Sequence, residues 1–393
     1  MWSPLLAFAV IAIVFTVGDY VSEKTKGLIA SILTADIIFM ILGGVLHILP
    51  GDLMQISVMA PLTSAIGLAL SLTNLGSTFN LDEFQAEWKT VLVSFGGVVG
   101  CTVACLTIGA LLFGHEVAYS SAAPVAGGVV AGLISTEAAN AAGRSDIAAI
   151  VSGVVGLQIL IGAPIASFSL RKEVLRFIDA KEYEIKTETK QTSVTKKLIS
   201  LPQFFSNSST AQLARLALVA TLGLVVSQVT PIPAAVTYLV FGTIAGAIGF
   251  LDKDGLGISG SKGLITLAFF AMICESFLSV SLADFGKMLV PIFGIIIVGV
   301  AGSMVFAYLV GKALKWSPWM SLAVSMCIIL GYPSNYVITT EVVKNAIKGM
   351  DFNEEQVLNI TNHVLRKMLI GSIIAVSISS VIIASYLAPM IFK

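Results

Sequence analysis

Apolar runs follow one another along this chain, and most polar positions fall between them. The first half carries runs at 3–20, 28–49, 53–78, 90–113, 121–143 and 147–170. The second half carries runs at 211–229, 235–251, 263–281, 288–314, 323–349 and 368–391. Most approach the ~20 residues that a bilayer crossing needs, so they predict membrane helices. Two runs break the pattern. Residues 121–143, SAAPVAGGVVAGLISTEAANAAG, are interrupted by Pro124, Gly127, Gly128 and Gly132. They then deliver Ser135, Thr136, Glu137 and Asn140. Residues 323–349, AVSMCIILGYPSNYVITTEVVKNAIKG, are interrupted by Gly331 and Pro333 and carry Tyr332, Ser334, Asn335, Thr339, Thr340 and Glu341. A helix broken inside a membrane frees N–H and C=O groups, which must face protein, water or a bound solute.

The two interrupted runs occupy matching places in two halves. Asn80-Leu81-Asp82-Glu83-Phe84 aligns with Ser281-Leu282-Ala283-Asp284-Phe285, and Ser135-Thr136-Glu137 aligns with Thr339-Thr340-Glu341. The same register sets Asn74 opposite Glu275. Order, spacing and run length agree together, which makes the internal repeat more than a chance of two triplets. The expected organisation is a first membrane repeat over 1–170, a linker over 171–209 and a second repeat over 210–393.

Charge orients the repeats. The linker holds Arg171, Lys172, Arg176, Lys181, Lys186, Lys190, Lys196 and Lys197, which places it in the cytoplasm. If the interrupted runs re-enter, each half has about five crossings and the halves are inverted. Lys24, Lys26, Lys89, Lys344, Lys348, Arg366 and Lys367 then lie inside, whereas full crossing would move them outside. The expected fold is therefore an all-α polytopic membrane protein of two inverted repeats, each with one broken or re-entrant segment. Asn207 and Asn359 match the glycosylation pattern, but the predicted cytoplasmic placement sets both aside.

Composition agrees: of 393 residues, 56% are hydrophobic and 12% charged, with mean hydropathy +0.94. Zero formal net charge gives no reason to expect a nucleic-acid partner. Cys101, Cys105, Cys274 and Cys327 lie in apolar runs and read as small core residues. His47, His115 and His363 are scattered, so no zinc-type cluster is expected. No nucleophile–base pair, metal cluster or phosphate loop suggests an enzyme.

The polar groups suit ion-coupled transport. Neutral oxygens with one or two carboxylates favour sodium over a transition metal. Glu275 falls inside the run 263–281, where a charge costs at least about 2.5 kcal/mol, so it should be paired or protonated. Glu137 and Glu341 follow the breaks and either hold an ion or cap helices. Asp36 reads as a scaffold or subunit contact, and Asn74 and Gln158 as either site residues or plain inter-helix bonders. No Lys or Arg is placed in the membrane core to balance the acids, so a sodium ion, a proton or a cationic solute must do it. Candidate solute contacts are Gly127, Gly128, Ser135, Thr136, Tyr332, Ser334 and Asn335. Candidate ion ligands are Asn74, Glu137, Asn140, Glu275, Asn335, Thr339, Thr340 and Glu341.

The order of segments, repeated around a cytoplasmic linker, resembles the bacterial sodium–glutamate symporter family and, more loosely, the 2-hydroxycarboxylate and bile-acid sodium symporters. Ala126-Gly127-Gly128-Val129-Val130 stands where that family has a Gly-Gly-His-Gly-Thr type loop. Gly331-Tyr332-Pro333-Ser334-Asn335 stands where it has an Ala-Thr-Pro-Thr-Ala stretch. The resemblance implies an elevator-like transporter, a homodimer and sodium coupling. The expected function is sodium- or proton-coupled symport of a small carboxylate or amino acid across the plasma membrane, with no cofactor beyond the ion. Sodium–proton antiport without an organic substrate is the alternative. A channel or membrane receptor is a further class, which single-channel currents would reveal.

Overall fold

The structure, a computed structural model, describes residues 2–24, 31–78, 85–184, 202–331, 334–373 and 379–392. Among them no strand occurs and most lie in helices. It is a polytopic membrane protein. Six helices are long and apolar enough to cross a bilayer: α1 (Pro4–Lys24), α3 (Met59–Ser77), α4 (Trp88–Phe113), α7 (Ser145–Asp179), α8 (Ser209–Val229) and α11 (Leu282–Ala313). Shorter apolar helices are α2 (Ser31–Val45), α9 (Ala234–Ala247), α12 (Pro318–Leu330) and α15 (Ser380–Leu387). Between them run α5 (His115–Gly127), α6 (Val129–Ala141), α10 (Lys262–Cys274), α13 (Ser334–Ala346) and α14 (Glu354–Ile373).

The chain divides into two compact units, and each takes helices from both sequence halves. The first contains Met1–Thr16, Ala35–Glu83 and Thr192–Leu282; the second contains Val17–Thr34, Phe84–Gln191 and Ala283–Lys393. In the first unit, α3 lies against α9 at backbone distance. A Cβ on Gly242 would sit 2.2 Å from the Thr73 carbonyl oxygen, and one on Gly76 would sit 2.3 Å from that of Leu239. Small residues permit this approach where lipid supplies no hydrophobic drive between helices.

A buried charge completes that unit. Arg215 lies inside the predicted run 211–229, yet it is 4% exposed and ion-paired with Asp252 at 2.8 Å. It also donates to the carbonyls of Phe250 at 2.9 Å and Phe205 at 2.8 Å. The acceptors sit in a short helix (Phe205) and a loop (Phe250 and Asp252), which the apolar pattern of α8 does not reveal.

In the second unit α7 is the axis. Its 35 residues span about 52 Å, more than a bilayer's hydrocarbon thickness. It therefore continues past the predicted end at 170 and makes the first part of the supposed linker helical. The helices α5, α6, α12, α13 and α14 all pack on it. The predicted closing segment 368–391 also changes: α14 begins earlier, at Glu354, so the polar stretch and the apolar stretch share one helix. The aligned loop at 80–84 lies outside the described residues.

Candidate functional site

Both interrupted runs are pairs of short helices separated by a glycine, and both belong to the second unit. Gly128 separates α5 from α6 with φ +65°, and Gly331 ends α12 with φ +61°. These angles fall in the left-handed region, where a side chain is strained. The Gly128 N–H still closes the last turn of α5 on Pro124 O at 2.7 Å, and its carbonyl accepts from Gly132 N–H at 2.9 Å. No side chain caps the start of α6, so its first N–H groups and its positive dipole end are left to whatever occupies the break.

One turn of α7 touches both breaks. The nearest atom to a Cβ built on Gly128 is Gln158 Nε2, at 3.8 Å. A Cβ built on Gly162 would lie 2.7 Å from Ile329 Cγ2 and 3.6 Å from Leu330 Cδ2, the last residues of α12. Gln158 and Gly162 are four apart and share a helix face. The sequence thus spaces one amide and one glycine so that α7 holds the ends of α5 and α12 at neighbouring levels. On the other side, a Cβ on Gly127 would fall 1.8 Å from Ser380 Cβ on α15.

The polar groups here are buried and incompletely paired. Gln158 is 3% exposed, and its Oε1 has no partner among the described residues. The same holds for the hydroxyls of Ser121 and Thr136, Nδ2 of Asn140 and Oδ1 of Asn335. A buried polar atom left unpaired costs about 1–3 kcal/mol unless a ligand or water completes it. Asn335 is otherwise well held: its Nδ2 donates to Met368 O at 2.8 Å and to Ser372 Oγ, and lies 3.2 Å from Cys327 Sγ. Thr339 is turned inward on its own helix, donating to Asn335 O at 2.7 Å, and Thr340 donates to Tyr336 O at 3.0 Å. Ser135 is buried, and Glu341 is engaged within the chain. Tyr332 lies outside the described residues, as does the Ser334 side chain. Glu137 is half-buried on α6 and has no hydrogen-bond or ion-pair partner among the described residues.

Asn74 and Glu275 belong to the other unit. Asn74 spends both ends of its amide on a loop, donating to Asp254 Oδ1 at 3.1 Å and accepting from Leu256 N–H at 2.9 Å. Burial alone would raise the Asp254 carboxyl, but the Lys262 ammonium and the Asn74 amide hold it below its ordinary value. Asn74 is thus occupied in shaping the turn. Glu275 is not in mid-helix as the apolar run suggests. Helix α10 stops at Cys274 and tightens into a 3₁₀ turn over Glu275–Leu278, where Gln55 Nε2 approaches Glu275 at 3.4 Å.

Sequence reasoning undervalued Gln158. A lone amide in an apolar run looks like any inter-helix bonder. Its place opposite Gly128 depends on packing between helices that the run itself does not encode. Among the described residues no group of three or more His, Cys, Asp or Glu is set to hold a metal.

No family model matches the sequence, and no curated protein matches it. The chain is similar to a solved structure, the sodium proton antiporter MjNhaP1 from Methanocaldococcus jannaschii. The similarity covers 98% of each chain at 13% identity, with a TM-score of 0.46. Likeness at that level assigns neither family nor activity. Membership of the sodium–glutamate symporter family finds no specific support in these comparisons.

Proposed function

We propose that this chain is a secondary active transporter that moves sodium, and that it does so by sodium–proton exchange. The observation that carries the transport reading is the pair of broken helices meeting one turn of α7 at Gln158 and Gly162. Such a crossing places an uncapped helix start and unpaired side-chain oxygens in the interior of a membrane protein, where a permeating species can complete them. Glu137 supports exchange as the mode. It is a single half-buried carboxylate, two turns into α6, with no partner among the described residues. A carboxylate in that setting is stable either protonated or with a cation beside it, so proton and sodium compete for one group.

Symport of a small carboxylate or amino acid is the second reading. The open end of the Gln158 amide beside the uncapped start of α6 supports it. An elevator-like movement, a homodimeric assembly and residence in the plasma membrane belong to the same proposal. Two compact units, each built from both halves, are consistent with such a movement.

The test uses purified protein in proteoliposomes with an acid interior reported by a pH dye. External sodium with no organic solute should alkalinise the interior, and Glu137→Gln should abolish this while unfolding at the same temperature as the parent. Proton movement that requires an added amino acid or carboxylate would establish symport instead. Absence of any sodium-dependent flux, with or without solute, would refute both.

A further inference from the structure

Two helices of the crossing, α7 and α12, are tied to α14 on one buried carboxylate. Glu173 lies on α7, 15 residues past Gln158 and so about 22 Å along the helix, and it is 1% exposed. Arg176 donates to its two oxygens at 2.9 and 3.1 Å. Ser317, which caps the start of α12 by accepting from Met320 N–H, donates its hydroxyl to the same carboxylate. His363 on α14 approaches through Nε2 at 3.0 Å. One residue therefore holds α7, the first turn of α12 and the middle of α14.

The neighbours of His363 fix its protonation. The Glu173 carboxylate only accepts, so Nε2 carries the proton. The Lys367 ammonium only donates and lies 3.4 Å from Nδ1, so Nδ1 carries none. Lys367 also donates to the His363 carbonyl at 2.8 Å, and the Phe177 ring stacks on the imidazole at 3.9 Å. A second ring proton would face an ammonium. The charges around the ring are Glu173 and Arg176 from α7, Lys367 and Arg366 on its own helix, and Glu182 from the turn after α7. Glu87, before α4, acts on Lys367. Burial comes first among the influences and keeps the ring below its ordinary value, with Lys367 and Arg176 adding to it and Glu173 opposing.

Helix α14 carries the consequence inward. Met368, next to Lys367, accepts from Asn335 through its carbonyl, and Ser372 one turn on contacts the same amide. We propose that the Glu173–His363–Lys367 network is a proton-operated latch on the second break. With His363 neutral it locks α14 to α7 and α12 and keeps Asn335 seated. Protonation of His363 sets a second positive charge against the Lys367 ammonium at 3.4 Å; Glu173 keeps its hold on the ring, and the turn that carries Lys367 and Met368 shifts, loosening Asn335.

Cys327 supplies the readout. It is fully buried, with Sγ 3.3 Å from Met368 O and 3.2 Å from Asn335 Nδ2, so its accessibility reports that contact. Full-length protein in proteoliposomes is treated with N-ethylmaleimide between about pH 8 and about pH 5.5, a range that brackets an ordinary histidine. Modification at Cys327 is counted by peptide mass spectrometry. The rate is divided by that of the same cysteine in the denatured chain, which removes the fall in thiolate with acid. Protection of Cys327 should drop severalfold on acidification. In His363→Gln, whose amide donates to Glu173 but gains no proton, protection should stay flat. Should that variant not fold, Lys367→Met decides the matter, since removing the ammonium should shrink the acid effect. Protection that ignores pH in the parent, or that falls equally in both variants, would overturn the latch. The readout needs no solute or flux, so its failure leaves the transport reading standing, and the reverse also holds.

Discussion

The two breaks come from one repeated pattern, yet the protein finishes them differently. At Gly331 the following helix supplies Asn335, whose amide nitrogen is saturated by Met368, Ser372 and Cys327. At Gly128 nothing caps α6, and the one amide that faces it, Gln158, keeps an unpaired oxygen. Both amides keep a buried oxygen without a partner among the described residues, so the contrast lies in the nitrogen: the second break spends its amide N–H groups on α14, and the first turns its amide toward an uncapped helix start. A repeat can thus set the position of two breaks without giving them the same role. Sequence alone put Asn335 among both the candidate ion ligands and the candidate solute contacts; in the structure its amide nitrogen is committed to holding α14.

The sharpest way to strain this contrast is at Gly127. A methyl there meets Ser380 Cβ at 1.8 Å, far inside any real contact, so α5 and α15 must part. Gly127→Leu should cost more than the 1–3 kcal/mol of ordinary overpacking and yield little folded protein by size-exclusion chromatography. Gly128→Ala meets only Gln158 Nε2, at an ordinary 3.8 Å, but carries φ +65°, so its cost should be strain alone, about 1–3 kcal/mol, read as a lowered Tm. Equal losses at the two positions would mean that the tight contact to α15 is unimportant.

A paired substitution separates the two amides. Asn335→Leu strips the bonds to Met368 O and Ser372 and leaves the Met368 carbonyl with the weak Cys327 thiol as its side-chain donor, which should cost about 1–3 kcal/mol in thermal unfolding. Gln158→Leu removes an amide whose oxygen had no partner, so stability should change by less than about 1 kcal/mol. Transport in proteoliposomes should show the reverse order, with Gln158→Leu the more damaged relative to its stability. If Gln158→Leu unfolds as readily as Asn335→Leu, the first break is as closed as the second.

How much of this is legible in the chain follows from the range of each interaction. Gly and Pro inside apolar runs announce the breaks, because backbone conformation is a local property. Helix existence was equally readable from run length. Positions that depend on distant partners were not. Glu173 and His363 are 190 residues apart, and Ser317 is 144 from Glu173. Arg215 sits in a run that looks like any membrane helix, and its acceptors lie in a short helix and a loop elsewhere. Glu275 was misplaced within its helix because the residues after it, Phe277, Leu278 and Val280, continue the apolar pattern while the backbone changes to a tighter turn. Hydropathy records burial, and burial does not distinguish the middle of a helix from a packed end.

The smallest expected effect concerns how the ends of the broken pairs are tied. After α6, Arg144 reaches Glu116 at the start of α5 at 2.7 Å and forks onto Asp146 at 2.8 and 2.9 Å. It joins the entry and exit of the first broken pair much as the Glu173 network joins the helices around the second. The environments differ. Side chains of Arg144, Glu116 and Asp146 are 37%, 40% and 52% exposed, whereas Glu173 is 1% exposed. Water and salt screen the exposed fork, so its worth is about 0–1 kcal/mol even with good geometry. Arg144→Gln should therefore lower Tm by no more than about 2 °C, and the difference should vanish in high salt. A larger, salt-resistant loss would place the first break under a clamp as firm as the second. The open state of Gly128 would then have to be explained by its missing cap alone.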